Sequence, residues 1–196
     1  MCSASATIDF SRIVAVTNRQ LCARPFLEQV QRVCELQPRF LVLREKDLDE
    51  AEYAALAADV LDICRNANVP CLLHSHVDLA LQLGADGVHL PLPLLRKADA
   101  AALSRLAHVG ASTHSAEEAA EAQSLRATYV FAGHVFETAC KPGFEARGLD
   151  FLRSVCERVD IPVYAIGGID LDERRIAQAL ACGATGTCSM SALMRV

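Results

Sequence analysis

The sequence predicts a TIM (β/α)8 barrel, and three observations carry the prediction. Eight short apolar runs alternate with eight helix-like segments along 196 residues. The runs are near-continuously apolar rather than alternating, as parallel strands covered on both faces must be. The alternation also continues past the point where a doubly wound sheet would stop: a flavodoxin-like open sheet, the structural alternative, needs fewer strands.

The first unit pairs a strand over Arg12–Thr17 with a helix from Pro25 to Leu36. A strand over Phe40–Arg44 leads to a long alanine-rich helix, Glu50–Ala67, whose start is favoured by Asp47, Asp49 and Glu50 through the helix dipole. Pro70–His74 precedes a helix at Val77–Leu83, and Gly87–Leu90 precedes a weaker one at Ala98–Leu106. His108–Ala111 runs into Ala116–Leu125, where Ser115 and Glu118 have the spacing of a capping box. Thr128–Ala132 is followed by Leu149–Arg158, and Pro162–Ile166 by Leu171–Ala181, which Cys182-Gly183 closes. The last strand, Gly186–Ser189, leaves only a stub of helix, Ser191–Val196; the apolar surface it fails to cover points to a partner subunit or a truncated end. The expected organisation is a flexible segment at residues 1–10 and one barrel domain at residues 11–196.

Composition narrows the function. Hydrophobic residues make up 52% and charged residues 22%, enough for one domain with a full core. A net charge of -5 without any Lys/Arg run argues against nucleic acid. No apolar run reaches the roughly 20 residues that span a bilayer, and the first ten residues lack a signal-peptide pattern, so a cytoplasmic location is expected. The nine cysteines are scattered and form no Cys-x-x-Cys pair. They read as small core hydrophobes rather than a disulfide framework or a zinc site.

In a barrel, chemistry collects at the carboxyl ends of the strands. Here those positions read Arg44 and Lys46, His74 and His76, His89, Ser112 and His114, His134, Gly167-Gly168, and Ser189 to Ser191. A histidine directly after the strand ending in Gly133 is placed to move protons near neutral pH. Gly167-Gly168 lets the backbone approach an anion, a helix opening near Leu171 adds its positive end, and Ser191 completes the cradle. Together they point to an enzyme that holds a phosphorylated small molecule and shifts a proton on it. His108, at the start of its strand, reads as structural.

Several stretches resemble the thiamine phosphate synthase superfamily: Leu43-Arg44-Glu45-Lys46, Val77-Asp78-Leu79-Ala80, Gly84 to Leu90, Ser112-Thr113-His114 and Ile161 to Ile169. The similarity runs from about Arg12 to the end of the chain and implies a barrel. In the synthase branch the resemblance implies Mg²⁺ around a diphosphate. This chain has His74-Ser75-His76 where that branch has Asn-Asp-Arg, and Pro91 to Leu94 where it has Gly-Gln-x-Asp; leucine cannot ligate Mg²⁺. Gly133 to Lys141, continuing through Gly143 to Gly148, is similar instead to the thiazole tautomerases. That branch aromatises a carboxylated thiazole phosphate without cofactor or metal.

The tautomerase resemblance implies that His134 is the proton shuttle. Gly167, Gly168 and Ser191 are then the phosphate site, Arg44 and Lys141 the candidates for the carboxylate or the growing charge, and Ser112 a hydrogen-bonding assistant. Lys46 joins them as a candidate substrate-binding group. The expected partner is a phosphorylated thiazole, with neither nucleic acid nor membrane, in a homo-oligomer. Three alternatives compete: a thiamine phosphate synthase, a zinc hydrolase built on His74-x-His76 with His89 or His134, and a regulator that binds a phosphorylated ligand without converting it.

Overall fold

Eight parallel strands close in sequence order, the first pairing with both the second and the last. The computed structural model describes residues 8–138, 143 and 145–196. The strands are β1 Ile13–Val16, β2 Phe40–Leu43, β3 Cys71–His74, β4 Gly87–Pro91, β5 His108–Thr113, β6 Tyr129–Gly133, β7 Val163–Ile166 and β8 Gly186–Ser189. The expected barrel is therefore present, each strand within two residues of its predicted bounds. Of the expected N-terminal segment, residues 1–7 lie outside the described residues. Phe10–Arg12 forms a single 3-10 turn capped by Asp9.

Strand geometry splits each apolar run into two sets, because successive side chains point to opposite faces. Val14, Val16, Phe40, Val42, Leu72, Tyr129, Phe131, Tyr164 and Cys188 form one cluster inside the barrel. Their neighbours, among them Ala15, Leu41, Leu43, Leu73, Val88, Val130 and Ala165, join the larger core under the helices. Phe40, Tyr129 and Tyr164 pack within the barrel with ring centroids 5.0–5.8 Å apart. His108 stacks on Phe40 at 6.3 Å, in the structural position expected of it. Gly110 makes room there: a Cβ on it would collide with the Tyr129 ring.

The helices are α1 Phe26–Glu35, α2 Glu50–Asn66, α3 Val77–Leu83, α4 Leu92–Leu95, α5 Ala100–Leu103, α6 Ala116–Ser124, α7 Gly148–Arg158 and α8 Glu173–Ala181. The single weak helix expected after β4 is instead two four-residue helices. The first starts on Pro91-Leu92-Pro93, with proline where no helical N–H is needed; the second starts at the cap Asp99. Asp49 and Glu52 make a full capping box on α2, whereas Asp47 turns away to Arg19. The Ser115 box is only half made. Its hydroxyl accepts from Glu118 N, but the Glu118 carboxylate accepts from His114 N. The expected terminal helix is one turn closed by Met194 N donating to Met190 O. Seven cysteines among the described residues are free thiols, five of them buried. No helix of the described residues is long and apolar enough to cross a membrane.

Candidate active site

A cavity of about 350 Å³ opens at the carboxyl ends of the strands. It falls in the ordinary range for a small-molecule site. Arg44, Lys46, His74, His89, Ser112, His114, His134, Gly167, Gly168 and Ser191 all contribute to its wall. Closure of the sheet thus brings together residues up to 147 positions apart in the chain. Lys141 lies outside the described residues.

Two of the expected members are elsewhere or differently made. His76 is not on the cavity wall; its ring packs on Tyr53 at 4.2 Å. The alternation that would have set His74 and His76 side by side ends at His74, because Ser75 takes a left-handed φ of 71°. A zinc site on that pair has no support, and no group of three possible metal-ligating side chains occurs among the described residues. The helix expected to open near Leu171 begins at Glu173. Asp170 and Leu171 take positive φ, and the Asp172 carboxylate accepts from Arg174 N and Arg175 N. The first amides of α8 are therefore engaged by its own cap.

His134 follows β6 and is 6% exposed in the cavity wall. Three backbone contacts fix the segment His134–Phe136. Val135 N donates to Ile166 O at 2.9 Å, Phe136 N donates to Gly167 O at 3.1 Å, and Arg147 N donates to His134 O at 3.0 Å. The peptide bond from Gly133 is cis. Beside it, His114 Nδ1 donates to Gly133 O at 2.7 Å, which ties the ends of β5 and β6. The glycine pair is explained by this crowding as well as by any anion. Gly167 has φ 100° and a Cβ there would strike His134, while one on Gly168 would strike Phe136 and Glu137. The Arg175 guanidinium donates to Gly168 O and lies over the Phe136 ring.

The opposite wall sets two cations, Arg44 and Lys46, beside the imidazoles of His74 and His89. Burial, with the Arg44 and Lys46 cations nearby, depresses His74 to about 4. Burial, helped by His74 and Arg44, also holds His89 well below its ordinary range. Both are neutral imidazoles at pH 7. Arg44 owes its position to the end of β1: its N–H donates to Thr17 Oγ1 at 2.9 Å, and Thr17 in turn donates to the buried Glu45 carboxylate at 2.7 Å. Arg19 closes that knot through its backbone N–H at 3.0 Å and its guanidinium at 3.4 Å.

The sequence reading missed Asp170, Phe131 and Ile166 on the wall. Phe131 depends on the phase of its strand, which an unbroken apolar run does not reveal, and Ile166 is simply the last residue of its strand. Asp170 has no comparable signal, because its direction depends on an irregular loop. Among the described residues it is the only carboxylate on the cavity wall. A Mg²⁺–diphosphate site needs several hard oxygen ligands. The wall offers Pro91 at the end of β4 and His74 at the end of β3, so this donor set does not fit that ion.

A family model described as thiamine monophosphate synthase matches residues 13–193. A thiamine-phosphate synthase of Caldanaerobacter subterraneus is 36% identical over 169 residues, covering 83% of this chain and 77% of that protein. One from Syntrophomonas wolfei is 33% identical over 192 residues, covering 95% and 89%. The solved thiamine phosphate pyrophosphorylase of Pyrococcus furiosus superposes with a TM-score of 0.78 at 31% identity, covering 93% of this chain and 87% of that one. With the barrel, the mouth residues and a match over nearly its whole length in agreement, this chain belongs to the thiamine monophosphate synthase family.

Proposed function

We propose that this member of the family is a thiazole tautomerase, which aromatises a carboxylated thiazole phosphate by moving one proton. The observation that carries the reading is the donor set of the cavity: among the described residues its wall holds four imidazoles, two cations and one carboxylate. That set suits proton transfer on an anionic ligand and is poor in the oxygen ligands that a metal-bound diphosphate requires.

In this reading the His134 imidazole takes the proton from a ring carbon. The C–H electron pair moves through the conjugated system to the exocyclic carbon, which receives the proton back from the imidazolium. No atom is gained or lost and the imidazole is regenerated. Arg44 and Lys46 stabilise the carboxylate and the charge that grows between the two transfers. Ser112 hydrogen-bonds the ligand, and Gly167, Gly168 and Ser191 hold the phosphate. Lys141 belongs to this set by resemblance. The reading needs no cofactor and has a cytoplasmic homo-oligomer as its corollary.

The test is His134→Asn assayed with the non-aromatic tautomer. Loss of a general acid–base should lower kcat by about 10² to 10⁴, and unchanged turnover removes the shuttle. A second reading, synthase activity, is favoured by the names of the relatives at 33–36% identity. Mg²⁺-dependent diphosphate release from the pyrimidine diphosphate by the wild-type protein would decide for it.

A further inference from the structure

His89 projects from β4 into the barrel and is 2% exposed. Both ring nitrogens are engaged: Nδ1 lies 3.0 Å from the Tyr129 hydroxyl, and Nε2 lies 2.8 Å from Ser112 Oγ. One ring face stacks on Phe131 at 4.0 Å. A neutral imidazole has one N–H to give, so the chain Tyr129–His89–Ser112 must run in one direction.

Tyr129 decides the direction. Tyr129 is 3% exposed, its ring packs against those of Phe40, Phe131 and Tyr164, and the hydrogen-bond partner of its hydroxyl is His89 Nδ1. If Nδ1 carried the proton, the phenol O–H would lose that acceptor inside the barrel, and a buried donor without an acceptor is the costly case. With the phenol donating, Nε2 carries the imidazole proton and donates to Ser112 Oγ. Ser112 stands on the cavity wall, half-buried. With its oxygen already accepting, its own proton is free to point into the cavity.

We propose that Tyr129 and His89 are positioning residues which hold Ser112 Oγ–H toward the cavity, as a donor to the ligand atom that gains negative charge when the ring carbon loses its proton. The inference rests on the proton-shift reading for the last clause only. Gly110 supports the same arrangement, since any side chain there would displace the Tyr129 ring and hydroxyl.

Two measurements test it. In the wild-type protein without ligand, ¹⁵N NMR should find His89 protonated at Nε2 with Nδ1 as acceptor; protonation at Nδ1 overturns the proposal. In kinetics, Tyr129→Phe keeps the ring and removes the donor. Its kcat should fall about tenfold while KM changes less than about twofold, the size of one neutral hydrogen bond lost from the transition state. His89→Gln can place an amide N–H near the Nε2 position and should retain more activity than His89→Leu. Wild-type kcat in Tyr129→Phe, or equal rates in the two His89 variants, overturns the proposal. If Tyr129→Phe fails to fold, the NMR result and the His89 pair still decide. A wild-type protein that does not convert the tautomer defeats the proposed function instead, and the NMR result still judges the direction of the chain.

Discussion

Gly167→Ala should damage stability and proton transfer together. Gly167 sits at φ 100°, and a Cβ there would overlap His134 Cβ and approach its Cα at 2.8 Å. A side chain held at such a φ costs about 1–3 kcal/mol, and the forced contact adds about 1–3 kcal/mol by overpacking. Gly148→Ala is the internal control. Gly148 has φ 80°, but a Cβ there meets nothing within 4 Å, so only the backbone cost of about 1–3 kcal/mol applies. The difference between the two variants isolates the contact with His134. At a urea slope of about 1–3 kcal/mol/M it corresponds to a midpoint shift on the order of 1 M. The neighbour that must yield is His134 itself, so kcat should fall by about 10² if its imidazole moves by roughly 1 Å. Urea titration and single-turnover kinetics on both variants read the two effects. If Gly167→Ala is no less stable than Gly148→Ala and retains full kcat, the packing of His134 on the glycine pair is not what holds the imidazole in place.

Stability should depend on His74 in mild acid. Its folded value of about 4 lies below the ordinary 6.5, so between those values the unfolded chain binds a proton that the folded one does not. Stability therefore falls as the pH drops from about 6.5 to about 4, with a loss of about 2 kcal/mol at pH 5 from this group, and none above neutrality. Urea midpoints at pH 7 and pH 5 should converge in His74→Gln relative to wild type; an identical pH dependence would contradict the neutral assignment. Glu45→Ala strips the acceptor from Thr17, from Arg19 N and from the Arg19 guanidinium at once. It should cost about 3 kcal/mol and raise KM through Arg44, whose N–H hangs on the Thr17 hydroxyl. A loss under about 0.5 kcal/mol, the scale of an ordinary surface change, would show that the knot is not structural.

The chain by itself determined the barrel and the end of it that carries chemistry. Strand identity is a local property: Phe40-Leu41-Val42-Leu43 and Tyr129-Val130-Phe131-Ala132 are apolar throughout because both faces are covered. Once the strands are parallel and consecutive, Arg44, His74, Ser112, His134 and Gly167 must share one rim. Tertiary structure alone decided how those residues address each other. Whether Phe131 or Val130 faces the interior depends on the phase of each strand, which an unbroken apolar run does not reveal. His76 leaves the rim because Ser75 adopts a left-handed backbone. The opening of α8 lies two residues later than expected, at Glu173, with Asp172 accepting from the amides of Arg174 and Arg175. Partners such as Tyr129, His89 and Ser112 come from three different strands, so their hydrogen bonds exist only at the register and closure of the finished barrel. Periodicity is written into neighbouring residues, whereas distances across a cavity are set by the whole sheet.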